Sequence, residues 1–263
     1  MAMRGRTNGM IRLGALAACA GALAAVGACN GAARGNGADS ARTADASGNV
    51  SGECSALPAA NDLKRLLAMA PDSDEAGGLF HGRAEWAALV SRDGTVCAIV
   101  PPNDSTGGRW PGSRNIARAK AFTANGFSTD TLALSTARLY TLTQPGHSLW
   151  GVAQPEPFNA DCLDAKHDTG VCGEAIAFGG GVPLYRNGRI VGGLGVSGDT
   201  PCADHEIAKR IRHFASLDPK AGMLVDDITY SVSDHPSIYT HPLCPNTWRN
   251  NMKIGDEPAA VGY

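Results

Sequence analysis

Asn187-Gly188 constrains this chain more than any other feature, because it demands an antiparallel hairpin. Apolar runs flank it at Pro183–Arg186 and Arg189–Val196. A two-residue connection between strands takes a primed turn, which needs positive φ at both positions, and Asn-Gly meets that need. Asp93-Gly94 repeats the signal between Ala84–Val90 and Thr95–Val100.

Helical spacing fills the intervals. Leu63, Leu66 and Leu67 predict a helix over Leu57–Ala70, with Asn61 as a cap. Ile116, Ala117, Lys120, Ala121 and Ala124 predict a second over Ser113–Asn125, ended by Gly126. Ser128 is placed to cap a third, running to Tyr140 and carrying Leu132, Leu134 and Leu139. After the second hairpin, Thr200 at N-cap and Pro201 at N1 open a last helix, with Ile207, Ile211 and Phe214 as its buried stripe. Beyond Leu217 the chain reads as loop with one strand at Ile228–Val232. Hairpins separated by helices give an α+β fold: a mainly antiparallel sheet of about five strands covered by α-helices, in a single domain. The alternation of a dinucleotide-binding fold and its G-x-G-x-x-G turn are missing.

The N-terminus is read as an export signal. Arg4, Arg6 and Arg12 precede an apolar run from Leu13 to Ala28, with no acid before Asp39. Val26-Gly27-Ala28-Cys29 reads as a lipobox, with residues 1–28 a lipoprotein-type signal peptide and Cys29 the lipidated residue. A secretory signal cut nearby without lipidation is the alternative. Residues 29–53 are poor in large apolar side chains and read as a disordered tether. The folded domain is then 54–263, placed in the periplasm or at the cell exterior. Loss of three Arg with residues 1–28 moves the formal charge from −2 to −5, which argues against a nucleic-acid partner.

Setting Cys19 and Cys29 aside leaves six cysteines, an even count that fits disulfides in an exported chain. Cys162 and Cys172 are near neighbours and make the first pair. Cys54–Cys97 and Cys202–Cys244 would close the rest.

Three segments carry a resemblance: Asn115 to Ala124, Phe178-Gly179-Gly180-Gly181-Val182-Pro183-Leu184, and Gly192 to Thr200 with Asp204-His205 and Ala208 after it. In order and spacing they resemble the GlcG/HbpS family of haem-binding proteins, related to the PduO C-terminal domain, over roughly residues 55–216. The resemblance implies an antiparallel sheet with flanking helices, homo-oligomers, and haem as cofactor. It also implies roles in haem degradation or sensing. An insert at 144–173 and an extension at 217–263 depart from the shorter members.

Haem needs an axial donor, an apolar slot and partners for its propionates. The insert offers His147 with Leu149 and Trp150, and His81 precedes the first hairpin's Trp86; either histidine is a candidate iron ligand. Lys120, on a face of Ile and Ala, is a candidate for the anionic groups. Arg114 and Arg118 on the same helix are expected to face water. Gly180 and Ser197 lie in glycine-rich turns that allow close backbone approach. Ser197 does not fit the G-x-S-x-G nucleophile elbow. His205 reads as a cap or oligomer contact and His241 as structural. The leading expectation is an exported haem-binding protein in haem handling or sensing. The alternative is an enzyme or accessory protein holding a small, glycolate-type carboxylate at Lys120 without haem. No nucleophile–base–orienter set marks a catalytic centre.

Overall fold

A computed structural model describes residues 54–102, 110, 112–152 and 175–258. The export signal, Cys29, the tether and the Cys162–Cys172 pair lie outside the described residues. The two turn signals each join a strand pair: β1 (Trp86–Ser91) with β2 (Val96–Val100), and β3 (Gly181–Arg186) with β4 (Arg189–Ser197). Asn187 and Gly188 adopt φ of 53° and 76°, the positive values a primed turn requires. The hairpins join through β1 and β4 into one four-stranded antiparallel sheet of order β2-β1-β4-β3.

Both faces of this sheet are covered, so its strands carry apolar side chains at successive positions. Ala87, Leu89, Leu194, Val196, Val182 and Leu184 face one way, toward α1 (Ala60–Ser73) and α3 (Pro201–Phe214). Ala88, Val90 and Val96 face the other, toward Ala117 and Ala121 of α2 (Ser113–Phe127). On β4 the positions under α2 are Gly193 and Gly195. A Cβ at either would collide with the backbone carbonyls of Ala121 and Ala117. The helix therefore lies directly on the strand backbone.

The departures from expectation have local causes. Ser128–Tyr140 is not an α-helix; only short 3₁₀ turns form at Thr136–Leu139 and Thr141–Thr143. The sheet captures this segment's polar groups instead: Tyr185 Oη donates to the Thr129 and Leu132 carbonyls, and Asp130 accepts from Ile190 N. α1 is capped by Ala59 without a side-chain bond, not by Asn61, and α2 runs through Gly126 to Phe127. Phe214 is 37% exposed, because the helix ends there and Leu217 takes the buried place. Arg118 is buried rather than facing water.

Past Leu217 the strand expected at Ile228–Val232 is absent. Ser231–Asp234 forms a single helical turn, α4, and β5 (Thr247–Arg249) pairs with β6 (Met252–Gly255) as a separate two-stranded ribbon. The main sheet thus has four strands where about five were expected. Disulfides Cys54–Cys97 and Cys202–Cys244 are formed, the second binding the tail to the start of α3.

Candidate functional site

The close seat of α2 on β4 carries Lys120 to the end of the sheet where the glycine loop, β4 and α3 meet. Lys120 Nζ lies 2.5 Å from Asp204 Oδ2, donates to the Val196 carbonyl at 3.0 Å, and sits 4.8 Å from the Phe178 ring centroid. Gly180, at φ 117°, passes so near that a Cβ would meet the ammonium, the Val196 carbonyl and Asp204. Ser197 ends β4 beside them, opposite Trp86. Lys120, Gly180 and Ser197, far apart in sequence, are therefore brought together.

Three acids complete the cluster. Thr200 caps α3 through its side chain, accepting from Ala203 N, and this sets Asp204 in the first turn. Asp204 Oδ1 accepts from Gly198 N and Asp199 N at 3.2 and 2.9 Å. Asp199 accepts from the amides of Leu79, Phe80 and Gly82 at 2.6, 2.7 and 3.1 Å. Glu85 is buried, and its carboxyl faces that of Asp204, with no N–H donor on either oxygen among the described residues. Burial first, and then the neighbouring Asp204, push its carboxyl well above the usual glutamate range. Asp204 is also raised, because burial outweighs the attraction of Lys120. The arrangement keeps a proton on the Glu85–Asp204 pair beside a buried ammonium. It also means that the anion facing Lys120 is Asp204 of the same chain.

Asp204 and Asp199 carry a sequence signal, since acids around a Thr-Pro helix start complement the helix dipole. Glu85 carries only a faint one, as a lone acid inside the apolar run Ala84–Val90.

His81 belongs to the edge of this network. The amides on either side of it are those that bind Asp199, at Phe80 and Gly82. It holds φ of 55°, its side chain is exposed, and Nδ1 lies 3.0 Å from Glu75 Oε1. Hydrogen bonding to His81 holds the Glu75 carboxyl below its ordinary range. His147 and Trp150 occupy exposed turns after Thr143, with Leu149 half-buried between them. The part of the insert beyond Val152 lies outside the described residues, up to residue 174.

The opposite side of α3 is charged and buried as well. Lys209 Nζ contacts Glu206, Asp227 and Asn250 at 2.6, 2.9 and 2.8 Å. Arg212 is bidentate to Asp226 at 2.7 and 2.8 Å. Burial opposes ionisation of Asp227, but His205 and Lys209 outweigh it and hold the carboxyl far below its usual range. His205 is thus a buried residue of this network, with Nε2 3.4 Å from Asp227. His241 is buried in the tail, Nδ1 against the Pro242 carbonyl at 2.7 Å and Nε2 accepting from Gly179 N at 3.2 Å. Burial lowers it to about 4.

Residues 86–212 match the family described as haem degrading protein HbpS-like. That span takes in the sheet, α2, Lys120 and Asp204. The corrinoid adenosyltransferases PduO of Salmonella typhimurium (strain LT2) and Citrobacter freundii are each 33% identical over 97 residues, 37% of this chain. The chain covers only 23% of the length of these relatives. Among solved structures, a PduOC–haem complex aligns with a TM-score of 0.43 at 23% identity, over 60% of this chain and 92% of that one. A double mutant of Streptomyces reticuli HbpS aligns with 0.39 at 21%, over 60% and 86%.

Proposed function

We propose that this chain, HbpS-like over residues 86–212, binds haem through a surface histidine and acts outside the cytoplasm in haem handling or sensing. The family match supports haem as the ligand. One observation of the chain itself carries the choice of histidine: Glu75 accepts from His81 Nδ1 and leaves Nε2 open. A carboxylate behind an imidazole is the usual outer-shell partner of a metal-bound histidine, fixing tautomer and ring. The backbone bearing His81 is itself pinned by two amide bonds to Asp199. His81 is therefore the first candidate for the iron and His147 the second, with the exposed Trp150 as apolar surface beside the latter. Both histidines are exposed, so a second surface must complete the slot, and a second copy of the chain supplies it in a homo-oligomer. Haem bound there would bring one-electron and oxygen chemistry; the protein would supply the axial nitrogen and its orientation.

A haemin titration followed in the Soret region tests this. A saturable band shift at one haemin per chain, lost in His81→Ala and kept in His147→Ala, is expected. No shift at stoichiometric haemin overturns the reading, and loss only in His147→Ala moves the ligand to the insert. Export and anchoring at Cys29 are tested by palmitate labelling in the host cell, which Cys29→Ala should abolish.

A further inference from the structure

Cys202, His241 and Cys244 are all buried, and one ligand atom from each lies within 4.8 Å of the other two. They come from distant positions: Cys202 from the first turn of α3, the others from the tail. In the present state the two sulfurs are bonded as a disulfide. We propose that this trio is a redox-gated site for a zinc-type divalent cation, closed by the disulfide and opened by its reduction.

Three features beyond proximity support the assignment. Both sulfurs sit at the positive end of α3: Cys202 is the second residue of the helix, and its N–H points to Cys244 Sγ at 3.2 Å. A helix N-terminus and an N–H···S bond favour thiolate, the form that ligates metal and the form that makes a disulfide easier to reduce. The imidazole holds the neutral tautomer that can ligate through Nε2. Its Nδ1–H donates to the Pro242 carbonyl, so the lone pair is on Nε2, which now accepts from Gly179 N. The charge also closes: two thiolates and a neutral imidazole around a divalent cation sum to zero, the least costly arrangement for a buried site. Two sulfurs and one nitrogen leave the fourth tetrahedral position open, as in catalytic rather than structural zinc sites.

The chemistry balances with a dithiol as reductant. The Cys202–Cys244 bond takes two electrons and two protons from the dithiol, which becomes a disulfide. The cation then displaces both protons, and the sulfurs separate to the roughly 3.7 Å that Zn–S bonds of about 2.3 Å require. Nε2 exchanges the Gly179 N–H for the metal, so occupancy reaches the glycine loop that borders Lys120.

Cobalt(II) is the probe, added to the full chain reduced with a dithiol that is then removed. One equivalent should give thiolate-to-cobalt charge-transfer bands and tetrahedral visible bands, and zinc should displace them. The oxidised chain should give neither. The pair Cys202→Ser with Cys244→Ser should abolish the bands although every other cysteine remains. His241→Ala should weaken binding by more than about a hundredfold, beyond the loss of an outer-shell partner. Bands that survive the double substitution, or a reduced chain that binds no cobalt, overturn the proposal. In the unsubstituted chain, zinc should shield Cys202 and Cys244 from alkylation, read by peptide mass; equal alkylation with and without zinc is a second refutation that needs no variant to fold.

Discussion

Lys120 Nζ and Asp204 Oδ2 meet at 2.5 Å with both side chains buried, joining α2 to α3 across the end of the sheet. Removing one member of such a pair strands the other charge in the interior, which costs about 3–5 kcal/mol. Lys120→Met should therefore unfold at markedly lower urea. Adding Asp204→Asn should recover more than about 1 kcal/mol of that loss in a double-mutant cycle. Strict additivity would show that the two do not act as a pair.

Glu85 gives a pH dependence of definite sign. Its folded-state value lies well above the ordinary 4.5, so the folded chain holds a proton that the unfolded chain has lost. The stabilisation is complete below 4.5 and declines as pH rises toward the folded value. Glu85→Gln keeps the shape without the titration. The difference in stability between variant and parent should swing toward the variant as pH rises above 4.5; a difference that is flat with pH would remove Glu85 as its source.

His241 acts in the reverse direction. Its value falls from 6.5 to about 4 in the folded chain. Stability present above 6.5 should drain away as pH drops through that window, by roughly 3 kcal/mol at 1.36 kcal/mol per unit. Denaturation of the disulfide form at stepped pH should show this loss. His241→Asn should flatten it.

Gly195→Ala tests the contact between α2 and β4. Its Cβ would enter the space of the Ala117 carbonyl and the Ala121 amide, both backbone. Neither can turn aside as a side chain does, so the helix must lift. A loss of at least 1–3 kcal/mol is expected, with the near-ultraviolet signal of the core altered. An unchanged midpoint would mean that α2 is not seated on the strand.

What the sequence revealed and what it hid follow one physical division. Asn187-Gly188 and Asp93-Gly94 placed both hairpins because their constraint is local, a backbone angle few residues accept. Thr200-Pro201 placed α3 for the same reason. Leu132, Leu134 and Leu139 misled because helical spacing is only a weak preference, and bonds from Tyr185 and Asp130 to distant backbone outweighed it. Glycine patterning and an oddly placed cation single out Lys120, Gly180 and Ser197, which the fold brings side by side. Glu85 could not be found, since its meaning depends wholly on Asp204, more than a hundred positions away. Arg118 was misplaced because a charged side chain reads as solvated until its surroundings are known.

Lys209 and Arg212 carry a further lesson about descent. Asp226, Asp227 and Asn250, which answer these two buried cations, all belong to the tail. Without the tail Lys209 keeps Glu206 of its own helix, but Arg212 loses the bidentate Asp226, and Asp226 without the helix has no cation to face. Arg212 and the tail are thus energetically coupled, and loss of one destabilises the other. A relative that ends near the position of Leu217 is expected to have traded the cation at the position of Arg212 for an apolar or outward-facing residue.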